Sequence, residues 1–233
     1  MNIHVVLPVQ GEDIAQSLDY FTRIASPGTT VSISSLDQGP SSIESDYDIV
    51  QAGPGIVRRV QEAEAAGADA VIINCMADPA LYASREVVGI PVVGPAQSAF
   101  AFAATLTDRF SVLGTTSRDL PFTRDLWRRY GHVERGVSVR VVDLNVLTLL
   151  EESSDLSDRL LNASIAAIEE DGAGAVIFGC TLMVEYRDEL VRSLAERGYG
   201  GVVVIDPLAV ALQMAESLVR LGLRHSGVTW PRI

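Results

Sequence analysis

Gly67-Ala68-Asp69-Ala70-Val71-Ile72-Ile73-Asn74-Cys75 and Gly172-Ala173-Gly174-Ala175-Val176-Ile177-Phe178-Gly179-Cys180 agree at six of nine positions, 105 residues apart. Each is a short β-branched, apolar run that starts behind a glycine and ends on a cysteine, the pattern of a buried strand. Outward from this pair the correspondence continues. Val5 and Leu113 lie in first strands offset by 108, Val31 and Val139 in second strands offset by 108, and Pro95 and Pro207 follow the fourth strands. The candidate strands are residues 2–7, 30–34, 70–74, 91–93, 110–114, 138–142, 175–179 and 202–205. Helical periodicity fills the gaps. Residues 56–66 place Ile56, Val60 and Ala63 on one face and stop at Gly67, while 120–130 carry Pro121 near the start and Gly131 past the end. Segments 155–170 and 183–197 stop at Gly172 and Gly198, and a last helix covers 207–221.

Strands alternating with helices specify parallel sheets, and the repeat divides eight strands into two sets of four. The expected fold is α/β, with two pseudo-symmetric four-stranded parallel-sheet lobes and an active site in the cleft between them. The first lobe is expected over 1–98, completed by the C-terminal helix of 207–233, and the second over 99–206.

Composition narrows the chemistry. All 18 basic residues are arginine, so there is no lysine for a pyridoxal imine, a lysine nucleophile or a P-loop. A net charge of −12 argues against a nucleic-acid groove or an anionic membrane surface. Aromatic content of 6% leaves no stacking platform for a nucleotide or flavin, and no G-x-G-x-x-G follows a strand. No apolar run approaches the ~20 residues of a membrane span. The opening MNIHVVLPVQG has no basic n-region or cleavage-site pattern and is read as a first strand. With two cysteines in all, a disulfide framework is not expected. The expectation is a cytoplasmic protein with both thiols free and a small molecule as its partner.

Each cysteine ends the third strand of its lobe, at the carboxyl edge where open α/β sheets bind ligands. After Cys75, Asp78 is read as an N-cap with Pro79 at the first helical position; after Cys180, Thr181 is read as a cap. Both thiols would then sit beside helix starts, whose amides favour a thiolate. A matched thiol and thiolate suit inversion at a carbon acid, which needs a base on one face and an acid on the other and no cofactor. The competing reading is a pair of structural cysteines copied by duplication. His4, His132 and His225 fall in no ligand spacing with either thiol, so no metal site is expected. The absence of C-x-x-C argues against a redox dithiol.

Through these residues the chain resembles the aspartate/glutamate/hydantoin racemase superfamily, and within it hydantoin racemases. The resemblance rests on GPSSIESDYD (39–48), INCMADPAL (73–81), IPVVGPAQSAF (90–100), FSVLGTT (110–116), VIFGCTLM (176–183) and LGLRHSGVTWP (221–231). It implies cofactor-independent proton transfer next to a carbonyl, on a 5-substituted hydantoin or a related ureide or amino-acid derivative, by a homo-oligomer. By position, Cys75 and Cys180 would be the acid/base pair. Thr115 and Thr116 would donate to the substrate's polar head, or else form a capped βα turn. Pro8, Val9 and Gln10 are their counterparts, and Met76 and Thr181 follow the cysteines. Ser41, Ser42 and Glu44 are read as a flap or a plain polar loop.

The chain departs from the family where Leu7-Pro8-Val9-Gln10 replaces an Asn-Pro-Asn turn, Met76 a phenylalanine, and Thr181-Leu182 an Ala-Gly pair. Two further readings stay open. One is a maleate-type cis–trans isomerase, in which one cysteine adds to a double bond; the other is a non-catalytic binding or accessory protein on this scaffold.

Overall fold

The computed structural model describes residues 1–11, 14–150 and 155–233. The strands are β1 (Asn2–Leu7), β2 (Thr30–Ser35), β3 (Ala70–Ile73), β4 (Val92–Val93), β5 (Phe110–Gly114), β6 (Gly136–Val141), β7 (Ala175–Phe178) and β8 (Val203–Ile205). They form two sheets of four, ordered β2-β1-β3-β4 and β6-β5-β7-β8, and every pairing is parallel. The helices are α1 (Ile14–Ile24), α2 (Asp46–Ala65), α3 (Leu81–Val87), α4 (Pro95–Leu106), α5 (Asp119–Tyr130), α6 (Val146–Leu150), α7 (Leu156–Glu169), α8 (Arg187–Glu196) and α9 (Pro207–Arg220).

The chain divides into two compact units, Met1–Ser98 with Leu208–Ile233, and Ala99–Pro207. In each unit the repeated strand is wholly apolar, and every residue of β3 and of β7 is buried. Burial of such side chains contributes ~1.5–3 kcal/mol each. The glycines that open the two repeats stop the preceding helices, with φ of +87° at Gly67 and +68° at Gly172, where a side chain would be strained.

In the first unit, α9 is tied in by Glu216. This fully buried carboxylate accepts the Ser26 hydroxyl and, at 3.0 Å, the Ser26 amide. Burial alone would push the Glu216 carboxyl up; the Ser26 donors and Arg220 outweigh it and hold the carboxyl below its ordinary range. The tail beyond α9 packs on the same unit. His225 meets the Val92 backbone, the Arg85 guanidinium lies 5.0 Å from the Trp230 ring centre, and Arg232 pairs with Glu64 at 2.6 Å. In the second unit, Phe100 of α4 stacks on Phe110 at 5.6 Å, with the Trp127 ring at its edge.

Several local expectations are corrected. The helix expected at 56–66 begins at Asp46, where Ser45 accepts the Asp48 amide as its N-cap. Pro54 sits inside α2 on an exposed position. The helix expected at 183–197 is a 3-10 turn, Thr181–Tyr186, followed by α8. α1, α4 and α6 had no sequence expectation, and the helix expected from Pro79 begins at Leu81. Among the described residues no helix is long and apolar enough to cross a membrane.

Candidate active site

The strand orders place the candidates. The first sheet runs outward in opposite directions from β1 and β3, and the second from β5 and β7, so each sheet has a topological switch point between those two strands. Cys75 follows β3 and Pro8 follows β1. Ile73 pairs with Val6, so two residues further along Cys75 is level with Pro8, and the Asn74 amide extends the ladder to the Val6 carbonyl at 2.9 Å. In the second sheet Phe178 pairs with Leu113, which puts Cys180 level with Thr115, and the Gly179 amide reaches the Leu113 carbonyl at 2.8 Å. Both cysteines are half-buried, and neither is in a disulfide.

Around Cys75 the chain turns at once. The Asp78 amide donates to the Cys75 carbonyl at 3.0 Å, and the Ala77 amide points at Cys75 Sγ at 3.4 Å. An amide facing sulfur stabilises a thiolate. Pro8 and Met76 are buried, Val9 is half-buried and Gln10 is exposed. The Val9 carbonyl accepts from the Leu36 amide, and the Gln10 amide donates to the Pro40 carbonyl at 2.9 Å, which ties this turn to the following loop. That loop is bonded within itself. Ser42 donates to Glu44 at 2.9 Å, and the Glu44 amide and Ser45 hydroxyl both donate to Asp48, while Ser41 is exposed.

Cys180 begins an equivalent turn, with the Met183 amide donating to its carbonyl at 3.1 Å. Thr115 is buried; its amide at 2.5 Å and its hydroxyl at 3.0 Å both donate to Asp119 Oδ2, so this hydroxyl serves the βα turn. Thr116 and Thr181 are half-buried. The first unit thus assembles Pro8, Val9, Gln10, Cys75 and Met76 at its switch point, and the second Thr115, Thr116, Cys180 and Thr181.

The capping residues expected beside the thiols are corrected. After Cys75 the backbone takes left-handed turns at Asp78 (φ 45°) and Ala80 (φ 55°), and α3 begins only at Leu81 with no side-chain cap. Asp78 does not cap that helix, and Pro79 is not its first residue, because the Asp78 carboxylate accepts the Ala96 and Gln97 amides at the start of α4. Thr181 caps nothing; it lies inside the 3-10 turn, whose cap position is Cys180.

Two residues escaped the sequence reading. Asp78 was read only for local capping. Asn74, 6% exposed, holds its side-chain oxygen buried with no hydrogen-bond partner among the described residues. Its signal was available: the matching position is Gly179, where a Cβ would lie 2.7 Å from the Leu113 carbonyl oxygen. The three histidines are packing groups. His4 bonds Ser32 and Ser34, His132 lies against Phe100 and Phe110, and His225 meets Val92; burial lowers the pKa of each.

The family model described as Asp/Glu/Hydantoin racemase matches residues 3–215. The chain belongs to the Asp/Glu/hydantoin racemase family. Within that family it is 38% identical over 238 residues to the hydantoin racemase of Rhizobium meliloti, covering 100% of this chain and 96% of that one. To the hydantoin racemase of Pseudomonas sp. (strain NS671) it is 34% identical, covering 97% and 89%. Among solved structures it is similar to allantoin racemase from Klebsiella pneumoniae, with a TM-score of 0.89, 32% identity and 100% and 94% coverage. It is also similar to allantoin racemase from Pseudomonas fluorescens, with a TM-score of 0.91, 28% identity and 100% and 97% coverage.

Proposed function

We propose that this chain is a cofactor-independent racemase of hydantoin-like rings, with Cys75 and Cys180 as the acid/base pair at one substrate carbon. The observation that carries the reading is the repeated thiol. In each sheet a cysteine lies two residues beyond the repeated strand, β3 or β7, at the switch point, and no other cysteine occurs in the chain. One thiolate takes the proton from the ring carbon and becomes a thiol, while the other thiol delivers its proton to the opposite face and becomes a thiolate. The reverse direction exchanges the roles, so no cofactor is consumed.

Without lysine there is no amine to form an imine electron sink, so the carbanion must be stabilised as an enolate by hydrogen bonds. Hydantoins and allantoin, the substrates in the relatives' names, share a five-membered cyclic ureide whose C5 proton is already activated by a carbonyl. We assign the hydroxyls of Thr116 and Thr181 as donors to the ring oxygens, and Pro8, Val9 and Met76 as the wall that positions the ring. Gln10, exposed in the turn after β1, takes the place of the amide that the family resemblance expects from an Asn-Pro-Asn turn. The buried Asn74 oxygen is the natural acceptor for a ring N–H, since leaving it unpaired costs about 1–3 kcal/mol. The same reading takes the enzyme as a cytoplasmic homo-oligomer.

The test is racemisation of single enantiomers of a 5-substituted hydantoin and of allantoin, followed by chiral chromatography. Cys75→Ser and Cys180→Ser should each slow it by about 10²–10⁴. Unimpaired racemisation in either variant would overturn the two-thiol assignment.

A further inference from the structure

The two cysteine turns share one backbone hydrogen bond and differ in what holds them. After each cysteine the amide three residues on donates back to the cysteine carbonyl, from Asp78 in one unit and Met183 in the other. Met183 is fully buried and apolar. Asp78, 1% exposed, reaches instead to the first turn of α4, accepting the Ala96 amide at 3.1 Å and the Gln97 amide at 2.9 Å.

The residue before each of these helices changes in step. Gly94 precedes Pro95, and a Cβ there would collide with the Asp78 carboxylate; Asp206 precedes Pro207 in the other unit. A carboxylate therefore stands at the helix start in both halves, but only in the first half does it come from the cysteine's own turn. The tether extends outward, because Gln97 accepts Arg85 Nη2 at 2.6 Å and Arg85 also donates to the Val92 carbonyl at 3.0 Å. Left-handed backbone at Asp78 and Ala80 persists only where such surroundings hold it.

We propose that Asp78 is the positioning residue for Cys75: by fastening the Cys75–Asp78 turn to α4 it keeps the Ala77 amide on Cys75 Sγ, and it makes the two thiols inequivalent. The proposal deepens the racemase reading and rests on it for its catalytic meaning. Cys75 is the tethered member of the pair, with the Ala77 amide 3.4 Å from its sulfur. At the matching position of the Cys180 turn stands the buried, apolar Met183, which carries no carboxylate.

The sign of the effect separates positioning from charge. Removing a nearby carboxylate charge would by itself favour the Cys75 thiolate. Losing the Ala77 amide would disfavour it.

The experiment measures iodoacetamide alkylation against pH in the full chain carrying one thiol at a time, Cys180→Ser for Cys75 and Cys75→Ser for Cys180. With Asp78→Ala the Cys75 profile should move to higher pH, its rate at pH 7 falling about three- to tenfold. Asp78→Asn, which keeps one acceptor, should recover part of that loss, and the Cys180 profile should not move. Gly94→Ala displaces the carboxylate without removing it and should shift Cys75 in the same direction, which covers the case of an Asp78→Ala chain that does not fold. A Cys75 profile that moves to lower pH in both Asp78 variants, or stays put while the melting temperature drops, overturns the proposal. Alkylation needs no substrate, so a wild-type chain that racemises nothing would sink the racemase reading and leave this result standing.

Discussion

The tail offers a stability test with a definite sign. His225 Nε2 lies 2.8 Å from the Val92 amide and 3.0 Å from the Val92 carbonyl, but that carbonyl already accepts Nε and Nη2 of Arg85. The neutral ring, with its proton on Nδ1 and Nε2 accepting from the Val92 amide, is therefore the form the fold selects. Burial, reinforced by the Arg85 charge, lowers the His225 pKa from 6.5 to about 4.

The unfolded chain thus takes up a proton near pH 6.5 that the folded chain refuses until about pH 4. Stability from this group is complete above pH 6.5 and is lost as pH falls between those values. The full difference corresponds to about 3 kcal/mol. The ring is partly open to solvent, which screens the interaction, so about 1–2 kcal/mol is expected. The perturbation is His225→Gln, which keeps a hydrogen-bonding side chain and does not titrate. The assay is urea unfolding of wild type and variant at pH 7.5 and pH 4.5, since the difference between the two chains cancels the carboxylates and the other histidines. Wild type should lose about 1–2 kcal/mol more than the variant across this range. Equal losses would refute the reasoning, and a smaller loss in wild type would reverse its sign.

Other outcomes follow from packing. Glu216→Ala leaves the Ser26 amide unpaired beneath α9 and should lower stability by about 2–4 kcal/mol in thermal unfolding, with Glu216→Gln costing less. Gly179→Ala drives a Cβ to 2.7 Å from the Leu113 oxygen and 2.9 Å from Val112 Cγ1, so β5 and β7 must part beside Cys180. That variant should lose about 1–3 kcal/mol and racemise more slowly, read by denaturation and chiral chromatography. Thr115→Val removes a hydroxyl engaged by Asp119 and should cost about 1 kcal/mol in urea unfolding while leaving the racemisation rate within about twofold.

The sheets were legible because their strands are β-branched runs between glycines and because the repeat supplied each assignment twice. All eight strands stand within two residues of their expected ends. The helix expected at 56–66 starts ten residues later than α2 does, and the part left out contains Gly53-Pro54-Gly55, which reads locally as punctuation. Packing overrides it: a Cβ on Gly55 would come to 3.2 Å from the Leu36 methyls, so that glycine admits a close approach inside a continuous helix. Both thiols and their switch-point neighbours were legible from position alone. What Asp78 does was not. Asp-Pro is a sound local helix start, yet the acceptor is claimed by amides eighteen and nineteen residues further on, a contact no local pattern encodes. Asn74 was hidden for the opposite reason. An asparagine at a strand end looks like an ordinary turn residue until its oxygen is found buried with no hydrogen-bond partner among the described residues.

The central claim is proton transfer by two groups on opposite faces of one carbon, and a single-enantiomer hydantoin in heavy water tests it most directly. In the first per cent of conversion, with label at the ring carbon followed separately in each enantiomer, the product should be fully deuterated while the remaining substrate stays protiated. Deuterium appearing equally early in the unconverted enantiomer, or protium carried into the product, would mean that one group serves both faces and would contradict the account.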